Sequence, residues 1–110
     1  MSAPAEHSGE CAPAQPPLRA GAIVREFTIR NRKGLHARAS AKFVQTVERF
    51  DAAVRVMRCG ETVGGTSIMG LMMLAASSGT SIVVEATGRQ AAQVMDALAA
   101  LIDARFGETD

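Results

Sequence analysis

The five residues Gly34-Leu35-His36-Ala37-Arg38 place an imidazole and a guanidinium two positions apart. To their left the apolar residues alternate as in a strand, and to their right they recur every three to four residues as in a helix. His36 is therefore expected at or beside a helix N-cap. A helix start presents unpaired N–H groups and the positive end of the aligned peptide dipoles, and the forked guanidinium of Arg38 matches phosphate geometry. A nucleophilic imidazole in that setting points to phosphoryl chemistry. Read locally, a loop histidine that only caps the helix or meets solvent fits as well, and is the commoner role for a lone histidine.

A second stretch, Thr66-Ser67, precedes the apolar run Ile68-Met69-Gly70-Leu71-Met72-Met73-Leu74. Serine before such a run is a standard helix N-cap, which places Ser67 at the start of a short helix. That helix is too short to bury every side of the run, and methionine adapts to several partners. Ile68, Met69 and Met72 are expected to form an exposed contact patch, with Leu71 and Leu74 in the core. Arg32 and Lys33 either steer acidic partners or are solvated turn charges.

The elements that must carry these residues follow in order. Ile23 to Arg30 alternates as a half-buried strand, with Ile23, Phe27 and Ile29 on one side, and Asn31 to Gly34 is a polar turn. Ala37 to Phe50 reads as an amphipathic helix with Ala37, Ala41, Phe43, Val44, Val47 and Phe50 inward, anchored by Leu35. Ala53 to Arg58 is a second strand with Val54 and Val56 opposite Arg55 and Met57; Cys59-Gly60 turns it tightly into a short strand, Glu61 to Val63. Thr80 to Thr87 is the last strand, and Arg89 to Phe106 the longest helix, stopped by Gly107. This order is too mixed for a doubly wound parallel sheet. It predicts an α+β fold, an open-faced sandwich with a four-stranded, mainly antiparallel sheet and three helices on one face.

Composition limits the rest. The 110 residues allow one domain, and with no Trp, no Tyr and four Phe its core must come from Ala, Val, Ile, Leu and Met. All four prolines lie before Gly21, so residues 1–21 are expected as a disordered tail and 22–110 as the folded domain. A net charge of +1 with no block of either sign gives no case for nucleic acid or a membrane surface, and no apolar stretch is long enough to span a bilayer. The N-terminus lacks the pattern of a secretory signal, so a cytoplasmic protein is expected. Cys11 and Cys59 have no metal-ligand spacing and are expected as free thiols in a reducing compartment, with a disulfide between them the lesser alternative; His7 with Cys11 makes no persuasive metal or redox pair.

With the element order in place, the chain resembles the HPr family, the histidine-containing phosphocarriers of the bacterial phosphoenolpyruvate phosphotransferase system. Gly34-Leu35-His36-Ala37-Arg38 is similar to the family's active-site signature, and Thr66-Ser67-Ile68-Met69-Gly70 to its regulatory-serine signature, at the expected distance downstream. The likeness runs from about Ile23 to Phe106. It implies phosphorylation of His36 on a ring nitrogen by enzyme I, pairing of the phosphate by Arg38, and delivery to enzyme IIA components. It also implies phosphorylation of Ser67 by an HPr kinase/phosphorylase, which would add about −1.5 to −2 charges beside the apolar run and weaken enzyme I docking there. No cofactor, no metal and a monomeric state are implied, and a carrier rather than an enzyme. The family usually has proline after the active-site arginine, where this chain has Ala39 followed by Ser40. That variation is as compatible with nitrogen-regulatory as with sugar-transport branches. The competing readings are a regulatory binding protein controlled through Ser67 with little use of His36, and a plain αβ interaction module.

Overall fold

The computed structural model describes residues 20–108. The tail expected over residues 1–21, with His7 and Cys11, lies outside them except for Ala20 and Gly21. The described chain runs β1 (Ile23–Thr28), α1 (Ala37–Glu48), β2 (Ala53–Arg58), β3 (Glu61–Gly64), α2 (Ile68–Met73), β4 (Ser81–Thr87) and α3 (Ala91–Asp103). The strands form one sheet in the order β1-β4-β2-β3, every pair antiparallel, as the predicted fold class requires. Alternation fixes which side each residue takes. Ile82, Val84 and Ala86 of β4 lie in register beside Phe27 of β1 and Val54 and Val56 of β2. They form one core with Phe43 and Val47 of α1, Leu71 of α2, and Val94, Leu98 and Ile102 of α3. In the helical layer, α1 packs against both α2 and α3, α3 covers β1 and β4, and α2 rests on β3.

Several local expectations change. Helix α1 stops at Glu48, leaving Phe50 half-buried beyond its end. Its inward face is also turned: Ala37 is exposed, while Ala39 and Ser40 are fully buried. Ala39, which stands where the resembling family has proline, therefore fills a packed position at the first turn. Met57 occupies the side of β2 opposite Val54 and Val56 as expected, yet it is buried. On that same side Glu85 is fully buried and accepts a hydrogen bond from Arg55 Nε. The Glu85 carboxylate raises the Arg55 pKa above its ordinary value, against the opposing effect of burial, so the guanidinium stays charged at any working pH.

The β2–β3 turn is as tight as expected, with Cys59 and Gly60 both at positive φ, the pairing a two-residue hairpin turn requires. Cys59 is not a free thiol, however; it is disulfide-bonded. Spacing along a sequence does not report which thiols the fold brings within bridging distance. The chain's other cysteine, Cys11, lies outside the described residues. The helix expected from Arg89 to Phe106 also breaks early. After Asp103 the chain enters a left-handed turn, with Arg105, Phe106 and Gly107 at φ 56, 55 and 76.

Candidate functional site

The loop from Asn31 to His36 is seated from below and from the side. Gly34 N–H donates to Asn31 O at 3.2 Å, and Leu35 N–H donates at 2.9 Å to the carbonyl of Ala76, in the loop after α2. Gly34 is required twice over: its φ is +68, and a Cβ there would stand 2.4 Å from Ala76 O. Leu35, 5% exposed, drives its side chain into the core. The short step from Gly34 O to His36 N–H, 2.9 Å, then lifts the imidazole to the rim.

His36 is the N-cap of α1, with extended backbone (φ −80, ψ −176), and its carbonyl accepts the first helical bond from Ser40 N–H at 2.9 Å. Its ring caps as well: Nδ1 accepts the N–H of Arg38 at 3.3 Å. That bond is long, so the Nδ1 lone pair is held toward the helix amides without being tightly consumed. The Arg38 side chain is exposed and makes no ion pair among the described residues. It joins Lys33 and Lys42 in lining a surface basin of about 530 Å³ beside His36, Ala37, Gly107 and Glu108. Three cations at the positive end of a helix make this basin a place where a phosphate is favoured.

The ring's other nitrogen meets a group with no signal in the sequence. Nε2 of His36 is in hydrogen-bond contact with Oε2 of Glu108, which arrives from beyond α3. Because Nδ1 is an acceptor, the ring proton belongs on Nε2, and Nε2–H donates to the carboxylate. The other carboxylate oxygen accepts from Asn31 Nδ2 at 3.1 Å. Asn31 is fully buried, and the same Nδ2 donates to Gly34 O at 2.8 Å. Lys42 Nζ in turn donates to the Phe106 carbonyl at 2.6 Å. Two consecutive non-glycine residues in the left-handed region cost about 1–2 kcal/mol each, a cost offset by complete burial of the Phe106 ring. Gly107 hinted at a reversal, but nothing marks Asn31, Lys42 or Glu108 as site residues before the fold brings them together.

Ser67 also sits where capping rules place it. It is exposed, extended (φ −107, ψ 103), and its Oγ accepts Gly70 N–H at 3.0 Å. After it, Ile68, Met69 and Met72 are 38%, 67% and 37% exposed, and Met73, outside the expected patch, is 74% exposed. Leu71 and Leu74 are buried. The loop that follows α2, Ala75 to Ser77, borders the surface next to Lys33, Leu35 and His36, so α2 and the histidine loop share one side of the molecule. Among the described residues there is no cluster of His, Cys, Asp or Glu that could hold a metal, and no helix long and apolar enough to cross a membrane.

Comparison with known proteins places this arrangement. Residues 23–104 match the family model of the PTS HPr component phosphorylation site. The chain is 50% identical over 86 residues to the phosphocarrier protein HPr of Cupriavidus necator, which covers 78% of this chain and 97% of that one. It is 37% identical over 86 residues to the phosphocarrier protein NPr of Shewanella violacea, covering 78% and 94%. Among solved structures, HPr-C-His from Thermoanaerobacter tengcongensis superposes with a TM-score of 0.76 at 36% identity, over 80% of this chain and 99% of that one.

Proposed function

The chain belongs to the HPr family of phosphotransferase-system phosphocarriers, and from that premise we propose that it takes a phosphoryl group from phosphorylated enzyme I onto Nδ1 of His36 and passes it to enzyme IIA components. The observation that carries this reading is the N-cap imidazole whose Nδ1 faces the first-turn amides of α1, with the exposed Arg38 lining the basin at its side. The lone pair of Nδ1 forms the new N–P bond as the bond between phosphorus and the donor's ring nitrogen breaks, its electron pair returning to the donor ring. The proton of His36 stays on Nε2 throughout. Leaving Nδ1, the Arg38 N–H turns to a phosphoryl oxygen, and the guanidinium of Arg38 supplies a charge-assisted second contact. Lys33 and Lys42 add favourable potential. Onward transfer runs the same steps in reverse.

Incubation with phosphoenolpyruvate and enzyme I tests the reading, and an acid-labile, base-stable phosphate is expected. Absence of that label sinks the carrier and leaves the regulatory binding protein as the better account. The carrier acts on this proposal as a cytoplasmic monomer, because phosphoenolpyruvate is a cytoplasmic metabolite and a single copy presents both the basin and the α2 face. The expectation of free thiols no longer contributes, since Cys59 is bonded. Identity of 50% to an HPr against 37% to an NPr favours acceptors of the HPr kind, sugar-transport rather than nitrogen-regulatory.

Ser67 is the regulatory site of the same proposal, phosphorylated by an HPr kinase/phosphorylase, with Ile68, Met69 and Met72 as the enzyme I contact. Its exposed Oγ is accessible, and the exposed side chains after it are those a phosphate would disturb. Aspartate is as good an N-cap as serine, so Ser67→Asp should leave α2 intact while introducing charge. Phosphorylation of Ser67→Asp by enzyme I is expected to slow by roughly tenfold, the scale of a few lost contacts at an apolar interface. Unchanged kinetics would remove Ser67 from control. With ATP and the kinase, wild type should carry an acid-stable phosphate that Ser67→Ala lacks.

A further inference from the structure

We infer that Glu108 is a positioning residue for His36: by holding Nε2–H it leaves Nδ1 as the nitrogen that takes the phosphoryl group. The inference rests on the phosphocarrier reading and deepens it. An imidazole has two nucleophilic nitrogens, and a ring free to turn or to exchange tautomers offers either. Here both are committed. Nδ1 accepts the Arg38 amide and Nε2 gives its proton to Glu108 Oε2, so the lone pair points at the helix amides and the N–H points at the Glu108 carboxylate on the basin's other wall.

The carboxylate is itself held at both ends. Glu108 Oε1 accepts from the buried Asn31 amide, which also ties down Gly34 O two residues before the histidine. The backbone that delivers Glu108 is fixed by the buried Phe106 ring and by Lys42 on the Phe106 carbonyl. At 29% side-chain exposure His36 is open enough to react, while Glu108, at 15%, sits mostly out of solvent. During attack the ring gains positive charge as the Nδ1–P bond forms, and a carboxylate on Nε2–H stabilises that charge without taking part in bond exchange. The arrangement follows the logic of a carboxylate that orients a catalytic imidazole through its far nitrogen.

Phosphoramidate tests this on the full chain without any partner protein: Nδ1 forms the N–P bond, the P–N bond of phosphoramidate breaks, and ammonia leaves. Phosphorus and nitrogen NMR distinguish the two phosphohistidine isomers. Wild type should yield the Nδ1 isomer, with the Nε2 isomer lower by roughly tenfold, the scale of one hydrogen bond to a charged group. Glu108→Ala should bring the Nε2 isomer to a comparable amount, while Glu108→Gln, whose one amide oxygen can accept from Nε2–H only by turning its NH2 toward the Asn31 amide, should fall between the two. The same isomer ratio in wild type and Glu108→Ala overturns the inference. So does an unphosphorylated wild-type ring whose nitrogen couplings place the proton on Nδ1, a measurement that needs no variant to fold. A chain that phosphoramidate labels as expected but enzyme I does not would retain Glu108's role and reject the carrier.

Discussion

His36→Asn is expected to fold like the wild type and to lose the acid-labile label from enzyme I to below about 1% of wild type, because an amide nitrogen offers no nucleophilic lone pair. Asparagine is a favoured N-cap, so the bond from the Arg38 amide has a replacement acceptor. His36→Ala should lose the label equally and also lose the cap, at about 1 kcal/mol, a melting shift of roughly 4–8 °C for a domain of this size. The pair of variants separates chemistry from stability. Two proteins with different melting points and the same missing phosphate assign the chemistry to the imidazole. Label retained on His36→Asn would move the acceptor elsewhere in the chain.

The second large effect is at Gly34. Gly34→Ala forces a side chain into the left-handed region and drives its Cβ to 2.4 Å from Ala76 O and 2.8 Å from Ser77 Cα, both backbone atoms that cannot swing aside. The conformational part costs about 1–2 kcal/mol and the overpacking about 1–3 kcal/mol more. Against a total stability of about 5–10 kcal/mol that is a severe loss. It also removes the seat that Leu35 N–H has on Ala76, so His36 should be misplaced even in the molecules that fold. Gly79→Ala is the control: its φ of +89 carries the conformational cost, but nothing lies within 4 Å of the added Cβ. Thermal melts should rank wild type, Gly79→Ala and Gly34→Ala in falling order. Equal melts for the two variants would mean that the Ala76 contact has no weight.

What the sequence makes legible is what is local. His36 and Ser67 are readable because an N-cap is defined by its immediate neighbours, and the strands because period two survives in Phe27, Ile29, Ile82 and Val84. The face of α1 is harder. Ala37, Ala39 and Ala41 differ only in phase, and it is the packing of α1 into the common core that buries Ala39 and leaves Ala37 exposed. The end of α3 is illegible for a related reason: Phe106 fits a helical repeat, yet its ring reaches the core only after the backbone has turned left-handed. The role of Glu108 and the bonded state of Cys59 are not legible, although the turn at Cys59 is. Their partners are set by proximity in space, which residue types and spacing do not encode.

The strand order has a consequence for how the chain comes to be folded. Among the described strands only the β2–β3 hairpin joins neighbours in sequence; β1 waits for β4, and β4 also pairs with the other edge of β2. A ribosome therefore releases all of the histidine loop and all of α1 before the strand that completes the sheet has been made. Until β4 arrives, β1 has no partner and loop closure over that long a span is unfavourable. Fragments ending before Ser81 should remain unfolded, and the site at His36 should come into being late and all at once, in the same step that closes the sheet.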